Sequence, residues 1–529
     1  MIKRALVSVY NKSGIVEFVK VLQNEFHIEI LSTGGTAATL LQNGIKITQV
    51  SDYTQSPEIF NGRVKTLHPR IEGGILMRRD HDSDLKEAKE NAILPIDMVV
   101  CSLYPFTEVV SKADTDHATA LEMIDIGGPT MIRAAAKTYP FVTVVSDPSQ
   151  FETVLKELRE NKGETTLITR EKLALEVFQK MAAYDAAIAN YLENRIETTP
   201  FPKKILRSYE KIQDCRYGEN WDQKAAFYKD TQAIVGLSDF KQVNGKELSF
   251  NNFLDVDSCV QMLLDLGSEH FVTAILKHTT PNGVAMDYQS QLESCKRAFS
   301  CDPLSAFGGV WGFNKKLEKV VADYIINQKN IFVEVIIAPD YEKAALDILK
   351  TKQNLRVLKF PGFLDRKTEF YARPELRSTL GGVLIQDYDW GPIIKEWDEK
   401  TSRKVSTREK ESLIFAYKVT KWAKSNSAAF AKEYDTGFYT IGIGAGQQSR
   451  VHVVKLAIQK AKEFGHDLVG SVMGTDSFFP FPDGPEAVAE AGAKAILTVG
   501  GSMRDDVVIK RAEELGISLV FCGKRVFRH

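Results

Sequence analysis

Ile28-Glu29-Ile30-Leu31-Ser32-Thr33-Gly34-Gly35-Thr36 decides how the first third of the chain is read. A short apolar, β-rich run ends in a hydroxyl-rich glycine turn, and a helix-like run follows. Glycines at such a turn let the backbone approach an anion. A helix start adds unpaired N–H groups and the positive end of a dipole. A plain strand-to-helix turn would need only one of the two glycines. The stretch therefore reads as strand, anion-type turn and helix.

The same rhythm extends on both sides. Residues 5–9 read as a buried strand, Lys12-Ser13-Gly14 as a turn and residues 15–22 as a helix. Residues 98–103 and 142–146 are further strands, so the rhythm predicts a mostly parallel sheet covered by helices. Leu175, Phe178, Met181, Ile188 and Leu192 predict one face of a long helix, with Thr169 as N-cap and Glu171 in its first turn. Thr198-Thr199-Pro200-Phe201-Pro202-Lys203-Lys204 cannot continue that helix, which predicts domains at 1–199 and 200–529. In the second, residues 273–276, 333–338, 383–385 and 439–443 read as buried strands. Residues 354–377 read as a polar connection, with a subdivision near it.

Composition bounds the function. At 529 residues the chain should hold more than one domain. With 44% hydrophobic and 26% charged residues it has the make-up of soluble globular protein, and a net charge of −1 argues against a nucleic-acid or membrane binder. No apolar run approaches the ~18 residues of a membrane span, and a cytoplasmic location is expected. The six cysteines are scattered without a C-x-x-C pair, so reduced thiols are expected, with neither zinc nor disulfides.

Several loops carry chemistry. Arg63-Val64-Lys65-Thr66-Leu67-His68-Pro69 gathers cations in a loop that runs on into an interior-looking segment. Ile124-Asp125-Ile126-Gly127-Gly128-Pro129-Thr130 sets up a helix start, with Asp125 either a cap or an acid facing a ligand. Lys137 ends the alanine-rich run that follows. Lys277-His278-Thr279-Thr280-Pro281-Asn282-Gly283 ends a strand and suits proton transfer. Ser305-Ala306-Phe307-Gly308-Gly309 is a second anion-type turn. Gly442-Ile443-Gly444-Ala445-Gly446-Gln447-Gln448-Ser449-Arg450 lacks the full dinucleotide fingerprint. The P-loop, zincin and zinc-deaminase signatures are absent.

In their joint order these motifs, with Leu103-Tyr104-Pro105-Phe106, Arg216-Tyr217-Gly218, Asp302-Pro303 and Arg525-Val526-Phe527-Arg528-His529, resemble one family. It is the bifunctional phosphoribosylaminoimidazolecarboxamide (AICAR) formyltransferase/IMP cyclohydrolase of purine biosynthesis. The resemblance implies an N-terminal methylglyoxal-synthase-like parallel-sheet domain that closes formyl-AICAR to IMP. It implies a duplicated, cytidine-deaminase-like α/β domain, without zinc, that moves a formyl group from 10-formyltetrahydrofolate to AICAR. It also implies a homodimer with formyltransferase sites at the subunit interface.

The resemblance further implies roles for residues. Lys137 would be the acid/base lysine of ring closure, supported by Lys65, Tyr104 and Asp125. Ser32, Thr33, Gly34, Gly35 and Thr36 would hold the ribosyl phosphate, with Lys12 and Arg63 also on the substrate. His278 would be the base of formyl transfer and Lys277 its helper. Arg216, Tyr217, Gly308, Asn426 and Arg450 would bind nucleotide, and Asp483 and Arg525 would lie near the folate. The chain departs from the family pattern at Tyr10-Asn11, at Glu72, at Asn220-Trp221-Asp222 and at Thr279-Thr280-Pro281-Asn282. A paralogue keeping one activity and a non-catalytic purine-nucleotide sensor are the competing readings.

Overall fold

The computed structural model describes residues 1–112, 114–196, 201–371 and 374–529. They form two compact units. One is Met1–Ser208 with Asp230–Gln232; the other is Tyr209–Lys229 with Ala233–His529. The expected boundary between residues 199 and 200 lies outside the described residues.

The first unit alternates strands and helices: β1 (Arg4–Val9), α1 (Ile15–Asn24), β2 (Glu29–Ser32), α2 (Gly34–Gln42), β3 (Thr48–Gln49), α3 (Val50–Thr54), α4 (Pro69–Leu76), α5 (Asp82–Glu90) and β4 (Met98–Ser102). Then come α6 (Phe106–Val110), α7 (His117–Glu122), α8 (Gly127–Lys137), β5 (Thr143–Val145), α9 (Phe151–Glu160) and α10 (Leu167–Ile196). All five strands pair in parallel, in the order β3-β2-β1-β4-β5. Leu6, Val99, Val100 and Val144 are sealed within this sheet, Ile15 and Leu22 of α1 among its covering helices. The order reverses at β1, where neighbouring connections leave on opposite sides and open a crevice at the carboxyl ends of the strands.

The long helix α10 exists, with two corrections. It starts two residues before Thr169, and the Thr166 hydroxyl, not that of Thr169, receives the Thr169 N–H. Its buried stripe is Leu173, Ala174, Val177 and Met181, whereas Leu175 and Phe178 face solvent. Met181 of the expected face is buried and Ile188 and Leu192 are half-buried, so packing turns out only Leu175 and Phe178 and takes in Leu173, Ala174 and Val177 instead.

The second unit opens with the paired strands β6 (Tyr209–Cys215) and β7 (Ala225–Asp230). One run follows: β8 (Lys241–Asn244), α11 (Phe250–Leu266), β9 (Phe271–Lys277), β10 (Thr280–Asp287), α12 (Gln291–Cys301), β11 (Gly309–Phe313), α13 (Lys319–Asn327), β12 (Val333–Ala338), α14 (Lys343–Leu349) and β13 (Arg356–Lys359). After α15 (Lys367–Phe370), β14 (Glu375–Thr379) and β15 (Gly382–Gln386), the run repeats. Its second copy is β16 (Asp398–Glu399), α16 (Thr407–Lys421), β17 (Ala428–Tyr434), β18 (Gly437–Gly444), α17 (Arg450–Glu463), β19 (Val472–Thr475), α18 (Asp483–Glu490), β20 (Ala495–Thr498), α19 (Asp505–Glu514) and β21 (Ser518–Phe521).

Both copies merge into one twelve-stranded sheet, β16-β21-β20-β19-β17-β18-β10-β9-β11-β12-β13-β8. Each copy has an antiparallel hairpin, then three mutually parallel strands, then an antiparallel edge strand. The copies meet at the antiparallel pair β10–β18. The duplication implied by the resemblance is thus visible in the strand order.

Two expectations for this unit are overturned. Residues 383–385 are not a buried strand, because β14 and β15 pair only with each other and Val383 and Leu384 are exposed. Residues 354–377 are not a polar connection. They hold β13 inside the sheet, with Phe360 and Phe363 buried, and Arg356 buried through its ion pair with Glu334, 3.1 Å.

Candidate functional site

In the first unit the loops after β1, β2 and β4 surround a cavity of about 450 Å³. Thr33, Arg63, Lys65, Tyr104 and Asp125 line it, as do Gly127 and Gly128 at the start of α8. Lys65 owes its place to two glycines. A Cβ on Gly34 would lie 2.8 Å from Lys65 Nζ, and one on Gly62 2.4 Å from its Cε. Both glycines have positive φ, 55° and 81°, which a side chain would resist. The ammonium stands 3.6 Å from Glu58, whose carboxylate also accepts from the Thr33 hydroxyl.

The anion turn divides its labour. The Ser32 hydroxyl donates to Val7 O (2.8 Å) and that of Thr36 to Val9 O (2.9 Å), so both side chains fasten the turn to β1. The N–H groups of the first turn of α2 are what the turn offers a ligand. Arg63 pairs with Glu122 at the rim.

Asp125 Oδ1 accepts from Gly128 N at 2.9 Å. Burial pushes its carboxyl up, against the pull of backbone N–H groups at Gly128, Tyr104 and Gly127. Burial likewise raises the Tyr104 phenol. Tyr184 of α10, which the sequence reading did not single out, pins this corner. Its hydroxyl accepts from Asp125 N (2.8 Å) and donates to Met123 O (3.2 Å).

Lys12 lines an adjoining cavity, of about 640 Å³, together with Tyr10, Tyr104 and Lys180. Its ammonium donates to Val9 O (2.8 Å), and burial lowers its pKa. Lys137 is elsewhere. It is exposed on the last turn of α8, about 15 Å of helix from Gly127 at the cavity. This placement conflicts with a direct acid/base role for Lys137 at this cavity, because a lysine side chain cannot span that length.

In the second unit the strand register brings the remaining residues to one edge of the sheet. The β9–β10 turn holds His278 and Thr279, between the paired residues Lys277 and Thr280. The register Ala285↔Tyr439 sets the start of β10 level with the end of β18, where the loop leading to Arg450 begins. Gly309 opens β11 beside Leu276, so the Ser305–Gly309 turn lies there too. Lys277 Nζ donates to Phe307 O (2.7 Å), and Gly308 has φ 75°. Phe307 and Phe332 pair at 5.0 Å.

Arg216 lies over the Tyr217 ring at 5.5 Å and lines a cavity of about 770 Å³ with Phe332, Glu334 and Arg356. Arg450 opens α17. It donates to Asn426 Oδ1 (2.6 Å) and pairs with the fully buried Asp476. The Ser425–Asn426 peptide is cis. Arg525 and Arg450 flank one ring, that of Phe527, at 4.4 and 6.0 Å. Asp483 is exposed at the first position of α18, where it accepts from Gly484 N (2.9 Å).

His278 and Thr279 both occupy the left-handed region, at φ 55° and 59°. Each non-glycine residue there costs about 1–2 kcal/mol, and a β-branched threonine is the harder case. Sequence reading missed the partners that make these placements possible: Asp255, Glu334 and Asp476. They lie far along the chain from what they touch, and no local motif announces them. Among the described residues no group of three or more His, Cys, Asp or Glu could hold a metal ion, and no helix is long and apolar enough to cross a membrane.

The family model described as AICARFT/IMPCHase bienzyme matches residues 135–460, more than half of the chain, and that of the MGS-like domain matches residues 14–130. The bifunctional purine biosynthesis protein PurH of Caldicellulosiruptor bescii is 44% identical over the full length of both chains. A solved structure described as the crystal structure of ForH is 33% identical, spans 36% of this chain and 96% of its own, and superposes with a TM-score of 0.34. With a methylglyoxal-synthase-like sheet in front and a model match across most of the remainder, the chain belongs to the AICARFT/IMPCHase bienzyme family.

Proposed function

We propose that the chain catalyses the last two steps of IMP synthesis, with formyl transfer in the second unit and ring closure in the first. The observation that carries this reading is the convergence of Lys65, Tyr104 and Asp125 on one cavity at the carboxyl ends of a parallel sheet.

In ring closure the carboxamide nitrogen of formyl-AICAR attacks the formyl carbon. The carboxamide and formamide nitrogens each give up one proton, and the formyl oxygen leaves with both as water. The Lys65 ammonium and Tyr104 hydroxyl stabilise the formyl oxygen as charge develops on it. Asp125, whose carboxyl accepts from Gly128 N and is raised by burial, takes the nitrogen's proton in this reading. The first turn of α2 and the Lys12 ammonium receive the ribosyl phosphate.

In formyl transfer the 5-amino group of AICAR attacks the formyl carbon of 10-formyltetrahydrofolate. His278 takes the amine's proton, and N10 of the tetrahydrofolate leaves, gaining a proton. Lys277 steadies the developing oxyanion. Arg216, Tyr217, Gly308, Asn426 and Arg450 hold the nucleotide, and Asp483 and Arg525 serve the folate. The reading includes a cytoplasmic homodimer.

The test separates the two units. Lys65→Met should slow cyclisation of supplied formyl-AICAR at least about a hundredfold and leave formyl transfer intact. His278→Ala should do the reverse. Ultraviolet assays of each step read both; a variant that loses neither step refutes the role assigned to that residue.

A further inference from the structure

We infer that Asp255 is a positioning residue for formyl transfer: its carboxylate holds the left-handed His278–Thr279 turn that aims the imidazole. The inference rests on His278 being the base of that step.

The turn cannot hold itself. Lys277 pairs with Thr280, which leaves two residues to reverse the chain, both at positive φ. Turns of that kind favour Asn-Gly. His-Thr supplies neither a glycine nor an asparagine, and threonine carries a branched Cβ into a conformation that crowds it.

Asp255 supplies what the turn lacks. Its Oδ1 accepts from Thr279 N at 2.5 Å, and the backbone N–H of His278 also faces the carboxylate. The carboxylate stands on α11, whose start is locked by a reciprocal pair: Ser249 N donates to Asn252 Oδ1 (3.0 Å) and Asn252 N to Ser249 Oγ (3.2 Å). Val256, Cys259 and Val260 fix the helix in the core. Asp255 itself is 9% exposed, so it works from a rigid post beneath the turn. The imidazole, by contrast, is exposed and makes no hydrogen bond with the described residues. Its direction is therefore set by the backbone at residue 278, and that backbone is set by Asp255.

Burial raises the Asp255 carboxyl, against the pull of the Thr279 and His278 N–H groups and the His278 charge, while Glu334 of β12 pushes the same way as burial. A carboxylate kept in such a place does work that a neutral apolar residue could not.

The test uses the full-length protein and four changes: Asp255→Ala, Asp255→Glu, Asp255→Ala with Thr279→Gly, and His278→Ala. Steady-state formyl transfer gives kcat and KM. Cyclisation of supplied formyl-AICAR is the internal control, and thermal unfolding reports the fold. Asp255→Ala should lower the transfer kcat about thirtyfold with KM nearly unchanged, since small misplacements of a reacting group cost up to about a hundredfold. Cyclisation should stay within about twofold. Glycine at 279 removes the strain, so the double variant should recover at least about fivefold of the loss.

A folded Asp255→Ala with kcat within about twofold of the parent would overturn the inference, as would a double variant that recovers nothing. If Asp255→Ala does not fold, Asp255→Glu decides, because it keeps the charge and moves the acceptor by one methylene. A folded Glu variant at parental kcat overturns the inference, and a drop of about tenfold at unchanged melting temperature supports it. Retained transfer in His278→Ala removes the base assignment and this inference together. Its loss, with normal Asp255 variants, removes this inference alone.

Discussion

In the second unit the hairpin turn of each copy has an aspartate behind it, both supplied by the first copy, and the aspartates are used differently. Behind β9–β10 stands Asp255, which reaches the turn from a helix and meets backbone N–H groups. Behind β17–β18 stands Asp287, at the end of the neighbouring strand. It accepts from the hydroxyls of Tyr434 and Thr436, both at 2.8 Å, and from the N–H groups of Gln289 and Ser290, both at 2.7 Å. Burial pushes the Asp287 carboxyl upward, but these donors outweigh it and hold the pKa below the usual range. For Asp255 burial wins and the pKa is raised. Only the first turn takes two residues into the left-handed region. The contrast separates a turn kept for stability from one kept under strain to present a side chain.

The largest expected effect on stability comes from breaking the relaxed copy. Asp287→Ala removes the acceptor of the Thr436 hydroxyl and of two backbone N–H groups, while the Tyr434 hydroxyl keeps Met286 O (3.1 Å), and should cost about 3 kcal/mol in urea unfolding. Well below the melting temperature, formyl transfer by the folded fraction should persist. A smaller pair of effects has opposite signs. Thr279→Gly should stabilise the protein by about 1 kcal/mol by relieving strain. Thr436→Gly should destabilise it by a similar ~1 kcal/mol, through a lost hydrogen bond and added chain entropy. Equal signs in the same unfolding series would erase the distinction between the copies.

A pH-linked effect extends the contrast to a carboxyl with no donor. Glu72 of α4 has its Oε1 buried without a hydrogen-bond partner among the described residues, and burial raises its pKa to about 7. A raised carboxyl contributes stability that is complete below the unfolded pKa, about 4.3. That contribution is lost as pH rises through about 7. Asp287 has the opposite sign: its contribution is present above the unfolded pKa, about 3.9, and is lost as pH falls through its lowered folded value. Glu72→Gln should therefore flatten the stability profile between about pH 4.5 and 7. An unchanged profile in that range would show that Glu72 does not titrate there. In the first unit, Lys137→Ala should slow cyclisation far less than Lys65→Met, because only Lys65 lines the cavity.

Sequence pattern carried the alternating strands and helices of the first unit, the Gly34 turn and the strand at residues 333–338, because each is local and periodic. It failed where pairing is remote. The apolar face of α10 was misread at Leu175 and Phe178, because neighbouring apolar stripes share one period and only tertiary packing distinguishes them. Residues 383–385 look interior by composition, yet β15 pairs with nothing but β14. The strained turn was invisible because His-Thr carries no left-handed signature. Asp255, 24 residues from Thr279, gives no local sign of its partner. Lys65, Tyr104 and Asp125 were legible as candidates, but their meeting point depends on two glycines and on Tyr184.

The exposed hairpin of β14 and β15 also marks where the second unit could be manufactured in two pieces. Leu380, at its tip, is wholly exposed, and the repeats on either side are complete runs of chain joined side by side through β10 and β18. A nick between Leu380 and Gly381 would cut no strand and would leave each piece with one long unsatisfied edge whose natural complement is the other piece. The unit is thus a ready split pair, in which reassembly of separately made fragments can be read out as recovered catalysis.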